Sequence, residues 1–131
     1  MVVRPTRSTG FFWLPQLPST WRVVRGKDIF RKVSLRVREE DEVVTCFRDG
    51  TTTLRTKRRE DGFTFALKEI GYQGVRKGHL VISAMDAFAG AIGIADSDGK
   101  CSPVYSVCAS KDINAVHLPF FSWVIRDMAT T

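Results

Sequence analysis

Lys77-Gly78-His79-Leu80-Val81-Ile82-Ser83, followed by Met85-Asp86-Ala87-Phe88-Ala89-Gly90-Ala91-Ile92-Gly93-Ile94, decides how this chain is read. Leu80-Val81-Ile82 is a continuous apolar run bounded by glycine and polar residues, the mark of a short buried strand rather than a long helix. Gly78, Gly90 and Gly93 do not make a phosphate-binding loop, because the strand-loop-helix context and the G-x-G-x-x-G spacing are both absent. They belong where backbone lies close to a neighbouring strand or needs a positive φ.

Working outward, Asp49-Gly50, Asp61-Gly62 and Asp98-Gly99 are dipeptides that accept the positive φ angles of tight turns. The first separates Glu42–Phe47 from Thr51–Arg55, both rich in β-branched residues, and predicts a hairpin. The last joins Gly90–Ala95 to Pro103–Cys108 and predicts a second hairpin or a short strand connection. Helical periodicity is concentrated at the end: Phe120, Phe121, Val124, Ile125 and Met128 recur at spacings of three and four, after a Pro119 suited to a first helical turn. Shorter helical turns are expected at Gly26–Arg31 and Phe65–Ile70. No internal repeat or low-complexity run is visible. The expected fold is α+β, a single compact domain of short strands and hairpins with a few helices and a C-terminal amphipathic helix.

The 131 residues fit one core. A hydrophobic share of 44% and a charged share of 26% are ordinary for a folded soluble domain. No stretch approaches the ~18 apolar residues of a membrane span. The apolar run Phe11–Leu14 is too short for the core of a signal peptide, so residues 1–14 are expected to be a flexible arm and 15–131 the domain. Three cysteines, Cys46, Cys101 and Cys108, with no C-x-x-C pair, point to a reducing compartment and a cytoplasmic location. Charge is uneven: residues 1–59 hold 14 Lys/Arg against 6 Asp/Glu, a net of +8, and residues 60–131 hold 6 against 8, a net of −2. Such a basic half, with a pI near 9.6, suits a polyanion. A solvated basic face without a partner is the competing explanation.

The 77–94 block, with Cys101-Ser102-Pro103-Val104-Tyr105-Ser106-Val107 after it, resembles the central block of target-recognition domains in specificity subunits of type I restriction-modification systems. There an Arg/Lys-Lys-Gly-Asp-Leu-Val strand leads to a Gly-Ala-Ile-Gly strand. Leu17-Pro18-Ser19-Thr20-Trp21-Arg22-Val23-Val24 is similar to that family's Pro-x-x-Trp-x-Val opening, and residues 117–128 to the amphipathic helix after the Ser-Pro-x-Tyr strand. The resemblance covers roughly residues 15–128. At one position the chain departs: the family commonly carries Asp where this sequence has His79, which puts in question whatever turn or hydrogen bond that carboxylate makes. Complete specificity subunits carry two recognition domains separated by long helices, so the chain is expected to be one domain or part of a subunit. The resemblance implies sequence-specific binding of double-stranded DNA without catalysis. It also implies partner subunits, a methyltransferase that uses S-adenosylmethionine and a motor-nuclease. It places Met85–Phe88 in a loop between strands, where Phe88 is expected to anchor the core and Asp86 to cap or turn.

Arg55-Thr56-Lys57-Arg58-Arg59 is the densest basic cluster, suited to phosphates, with an Arg also able to pair with a guanine edge. Arg48 through Thr53 form the tip and exit of the first hairpin, and a two-stranded ribbon fits a major groove. With Arg76 and Lys77 ahead of Gly78, the expected DNA contacts are Arg48, Thr51, Thr53, Arg55, Lys57, Arg58, Arg59, Arg76 and Lys77. A solvated loop and a purely geometric turn are the alternatives for these segments. His79, His117, Cys101 and Cys108 match no structural zinc spacing, and Asp86, Asp96 and Asp98 are better explained by turns than by a nuclease site. No cofactor, metal or catalytic residue is expected. An interaction module whose C-terminal helix docks on a protein is the alternative function, and a small hydrolase or nuclease a third; the apolar helix face also suggests self-association.

Overall fold

The structure, a computed structural model, describes residues 5–58, 69–114 and 116–130. The strand read from Leu80-Val81-Ile82 forms as β7 (Leu80–Ser83). It pairs antiparallel with β8 (Ile92–Ile94) on one side and β10 (Tyr105–Ser110) on the other, and β10 in turn pairs with β3 (Phe30–Lys32). Register sorts the side chains. Val81 lies opposite both Gly93 and Val107, and the Val33 N–H donates to the Val107 carbonyl (2.8 Å). Val33, Val81 and Val107 belong to the buried cluster. Because side chains alternate along a strand, Leu80, Ile82, Ile92 and Ile94 face the other way. Along that side the C-terminal helix α2 (Leu118–Thr130) packs against β7 and β8.

Three further pairs complete the frame: β1 (Thr6–Phe11) with β2 (Leu14–Pro18), β4 (Val44–Cys46) with β5 (Thr52–Leu54), and β6 (Gln73–Val75) with β9 (Gly99–Cys101). Single bridges stitch the last two to the central sheet. Thr52 pairs with Ala95 just past β8, Val43 with Lys100 in β9, and Leu35, beyond β3, with Gly74 in β6. The pairing therefore runs β3, β10, β7, β8, β5, β4, β9, β6 and back to the segment after β3. This ring covers both edges of the four-stranded sheet, the usual way in which a small β structure protects exposed strand edges. The enclosed cluster is built mainly of Val, Ala and Cys, among them Val44, Cys46, Val75, Ala95 and Cys101. Where strands meet most closely the residue is glycine: a Cβ on Gly93 would run into the Gly50 carbonyl, and one on Gly99 into the Glu42 carbonyl.

The first hairpin forms as expected, with Val44 opposite Leu54 and Cys46 opposite Thr52. Of the two alternatives for Asp98-Gly99, the second hairpin does not form and a connection through a short strand does. Asp98-Gly99 leads into β9, whose partner is β6, while β10 pairs with β7 and β3. Stacking Val107 on Val81 and Val33 gives β10 an apolar row on both sides, which a hairpin with β8 would not supply. Phe88 is 70% exposed, not a core anchor; it sits on a 3-10 turn over Ala87–Ala89 that ends at Gly90 with φ +101°. Within the stretch expected to be an arm, Thr6–Phe11 is a paired strand. The short helix α1 (Gly26–Ile29) forms inside the expected 26–31 turn. Asp61-Gly62, Arg59 and most of the expected 65–70 helix lie outside the described residues, and Glu69 and Ile70 are not helical. No helix among the described residues is long and apolar enough to cross a membrane.

Candidate nucleic-acid interface

The residues expected to meet DNA fall into two groups. Around the β4–β5 hairpin stand Arg48, Thr51, Arg55, Lys57 and Arg58. Arg48 is well exposed and reaches Asp86, on the loop after β7, at 3.0 Å. The Arg58 guanidinium takes both oxygens of Asp49 (2.8 and 2.7 Å) and lies over the Phe47 ring, 4.3 Å from its centre. This grip, helped by the Thr51 N–H, holds the Asp49 carboxyl down at about 2. Lys57 Nζ donates to the Ser97 hydroxyl (3.0 Å), and Ser97 in turn donates to Asp96. Arg55 and Thr56 line a shallow depression shared with Glu42, Glu69 and Lys100, in which Lys100 pairs with Glu69 at 2.5 Å. Thr53 is different: although alternation places it on the face opposite Thr52 and Leu54, which side with the core residues Cys46 and Val44, it is only 4% exposed and offers no surface to a ligand.

The hairpin tip does not project. Asp49-Gly50 lies against β8 and α2, where Arg126 from the helix donates to the Gly90 carbonyl (3.0 Å) and to the Arg48 carbonyl (3.2 Å). A Cβ at Gly50 would meet the Ile92 carbonyl and the Arg126 side chain. The tip is therefore part of the scaffold, and the cations flanking it are what face outward.

The second group surrounds the Arg76–His79 turn. Arg76 is a structural residue. Its guanidinium contacts Asp41 (3.3 Å) and donates to the Val75 and Gly99 carbonyls (2.8 and 3.0 Å). Asp41, almost wholly buried, also accepts from the Arg38 backbone N–H (2.7 Å) and pairs with the Arg38 guanidinium. Burial works against its ionisation, but that backbone bond and the two guanidinium groups outweigh it and hold the carboxyl below the usual range. Lys77 is exposed and its N–H donates to Asp98 (2.8 Å).

His79 closes the same turn. Its N–H donates to the Arg76 carbonyl (3.0 Å), while its Nδ1 accepts the Arg76 N–H (3.1 Å), with Gly78 between them at φ +94°. An imidazole thus makes a side-chain-to-backbone bond of the kind a carboxylate makes in turns. Burial, then Arg76 and Arg31, lower the His79 pKa against the opposing pull of Asp98, which keeps Nδ1 free to accept.

Four contributors carry no clear mark in the sequence. Arg126 reads there only as part of a helix, although one cation among apolar spacings is a signal for an inward anchor. Asp86 reads as a cap or turn, yet its carboxylate is the partner of Arg48. Arg31 and Lys32, both exposed, occupy β3, a strand too short to announce itself in the sequence. Among the described residues no group of His, Cys, Asp and Glu is arranged to hold a metal. The thiols are unsuited to nucleophilic work: burial raises Cys46 and Cys108, and pushes Cys101 up to about 12.

The chain matches no model of a known protein family and no curated protein sequence.

Proposed function

We propose that this chain is a non-catalytic module that binds double-stranded DNA, of the target-recognition kind found in specificity subunits of type I restriction-modification systems. In that role it selects the site for partner methyltransferase and motor-nuclease subunits, and works in the cytoplasm, where its cysteines stay reduced. The observation that carries the reading is the state of the cations around the β4–β5 hairpin. Arg48 and Arg58 are paired with acids that are themselves roughly half exposed. A single-contact exposed pair such as Arg48–Asp86 contributes only about 0–1 kcal/mol, so phosphate can replace that carboxylate at little cost, whereas Arg58 holds Asp49 through both oxygens and gives it up at a greater cost. Arg76, paired with buried Asp41, has no such freedom. The interface proposed is thus Arg48, Thr51, Arg55, Lys57, Arg58 and Lys77, with Arg59 just past the described residues, on a frame that Thr53 and Arg76 help to build.

Fluorescence anisotropy of labelled duplex DNA at rising salt tests this. The logarithm of the binding constant should fall linearly with the logarithm of salt, with a slope of about −0.9 per phosphate neutralised. Replacing Arg48 and Arg58 by Ala should make the slope shallower by about 0.9 for each phosphate that is no longer neutralised. An unchanged slope in the double variant contradicts the assignment.

A further inference from the structure

A second surface lies away from those cations. Between the β1–β2 hairpin, α1 and the outer side of α2 runs an open groove of about 620 Å³, walled almost wholly by apolar residues. Trp21, Val24, Phe120 and Met128 line it and remain 38–47% exposed, a concentration of large apolar side chains that usually marks a binding surface. Trp21 meets Phe120 edge to face at 6.2 Å, and Arg7 fixes the Trp21 segment by donating to its carbonyl (2.9 and 3.1 Å). On α2, Phe120, Val124 and Met128 form an i, i+4 row along the wall. Such rows are ridges between which another helix seats its own side chains.

Charge narrows the occupant. Described residues 5–30, which supply the opposite wall, hold four cations, Arg7, Arg22, Arg25 and Lys27, against Asp28 alone. Arg22 itself lines the groove. A second copy seated symmetrically on this face would bring like cations together, which disfavours it. DNA has no use for an apolar wall. We infer that the groove receives an amphipathic helix of a partner protein, with bulky apolar side chains on one face and Asp or Glu beside them. This surface is independent of the proposed DNA contacts.

The probe is a phage-displayed library of random peptides, each long enough for about four helical turns, selected on the intact chain. Sequences with large apolar residues at i and i+4 and an excess of Asp and Glu should be enriched. A synthetic peptide from that pool should bind at least tenfold more weakly to the Arg22→Glu, Lys27→Glu double variant and to Met128→Glu. Phe88→Ala, which does not line the groove, should bind as the parent does. Exchanging the peptide's acids for Lys should restore binding to the Arg22→Glu, Lys27→Glu chain; both altered positions are exposed, so the fold is not at stake. The inference is overturned by failure to enrich any sequence or by enrichment without acidic excess. Displacement of the peptide by duplex DNA, or a sedimenting dimer that Met128→Glu dissociates, overturns it equally.

Discussion

Gly93 stands where two backbone segments approach closely. A methyl group there would overlap the Gly50 carbonyl, and because two backbone segments are involved neither can swing away. Gly93→Ala is expected to lose about 1–3 kcal/mol in urea unfolding, the range typical of overpacked cores. Acid should act through three carboxylates held below their ordinary range, Asp41, Asp49 and Asp98. Unfolded, these groups take up protons near 3.8; folded, Asp49 keeps its charge to about 2. Stability from them is thus complete above the unfolded value and is lost as pH falls toward 2. Asp41→Ala should cost about 3 kcal/mol at neutral pH, the low end for breaking a buried pair, since Arg38 retains access to water. It should also flatten the acid limb of a plot of stability against pH. His79 adds a milder effect of the same sign: its folded pKa lies below 6.5, so stability falls as pH drops through that window.

At the level of elements, α2 and the β4–β5 hairpin are tied by one side chain. Removing the bonds from Arg126 to the Gly90 and Arg48 carbonyls leaves two acceptors near β8 without their charged donor. Arg126→Ala should therefore lose about 1–3 kcal/mol in thermal or urea unfolding. This helix is legible in the sequence because Phe120, Phe121, Val124, Ile125 and Met128 repeat at its period. The hairpin is legible because Asp49-Gly50 separates two β-branched runs, and β7 because Leu80-Val81-Ile82 is short, apolar and bounded. What stays hidden is non-local. Nothing in Asp98-Gly99 says that the following strand pairs with Gln73–Val75, and the single bridges at Leu35, Val43 and Thr52 have no local sequence mark. The same reason explains the site. Lys57 and Arg58 are visible as a run of cations, but the burial of Thr53 depends on packing that no local pattern shows, and the burial of the Arg76 ion pair on a residue 35 positions away.

For the molecule as a whole, the ring of strands acts as a frame with two unlike surfaces. One presents cations around a docked hairpin; the other presents an apolar groove beside further cations. The sequence announces this division only as charge, +8 in its first 59 residues, because composition cannot tell which cations are held in the frame. Geometry can: Arg38 and Arg76 surround buried Asp41, whereas Arg48 and Arg58 sit on exposed partners. DNA binding is the central claim, and the salt dependence of duplex binding by the unaltered chain, compared with the Arg48→Ala, Arg58→Ala variant, tests it most directly. The account predicts a steep linear fall in affinity with salt and a shallower fall in the variant, measured where thermal unfolding shows both proteins folded. A flat salt response, or identical slopes for both proteins, would contradict it.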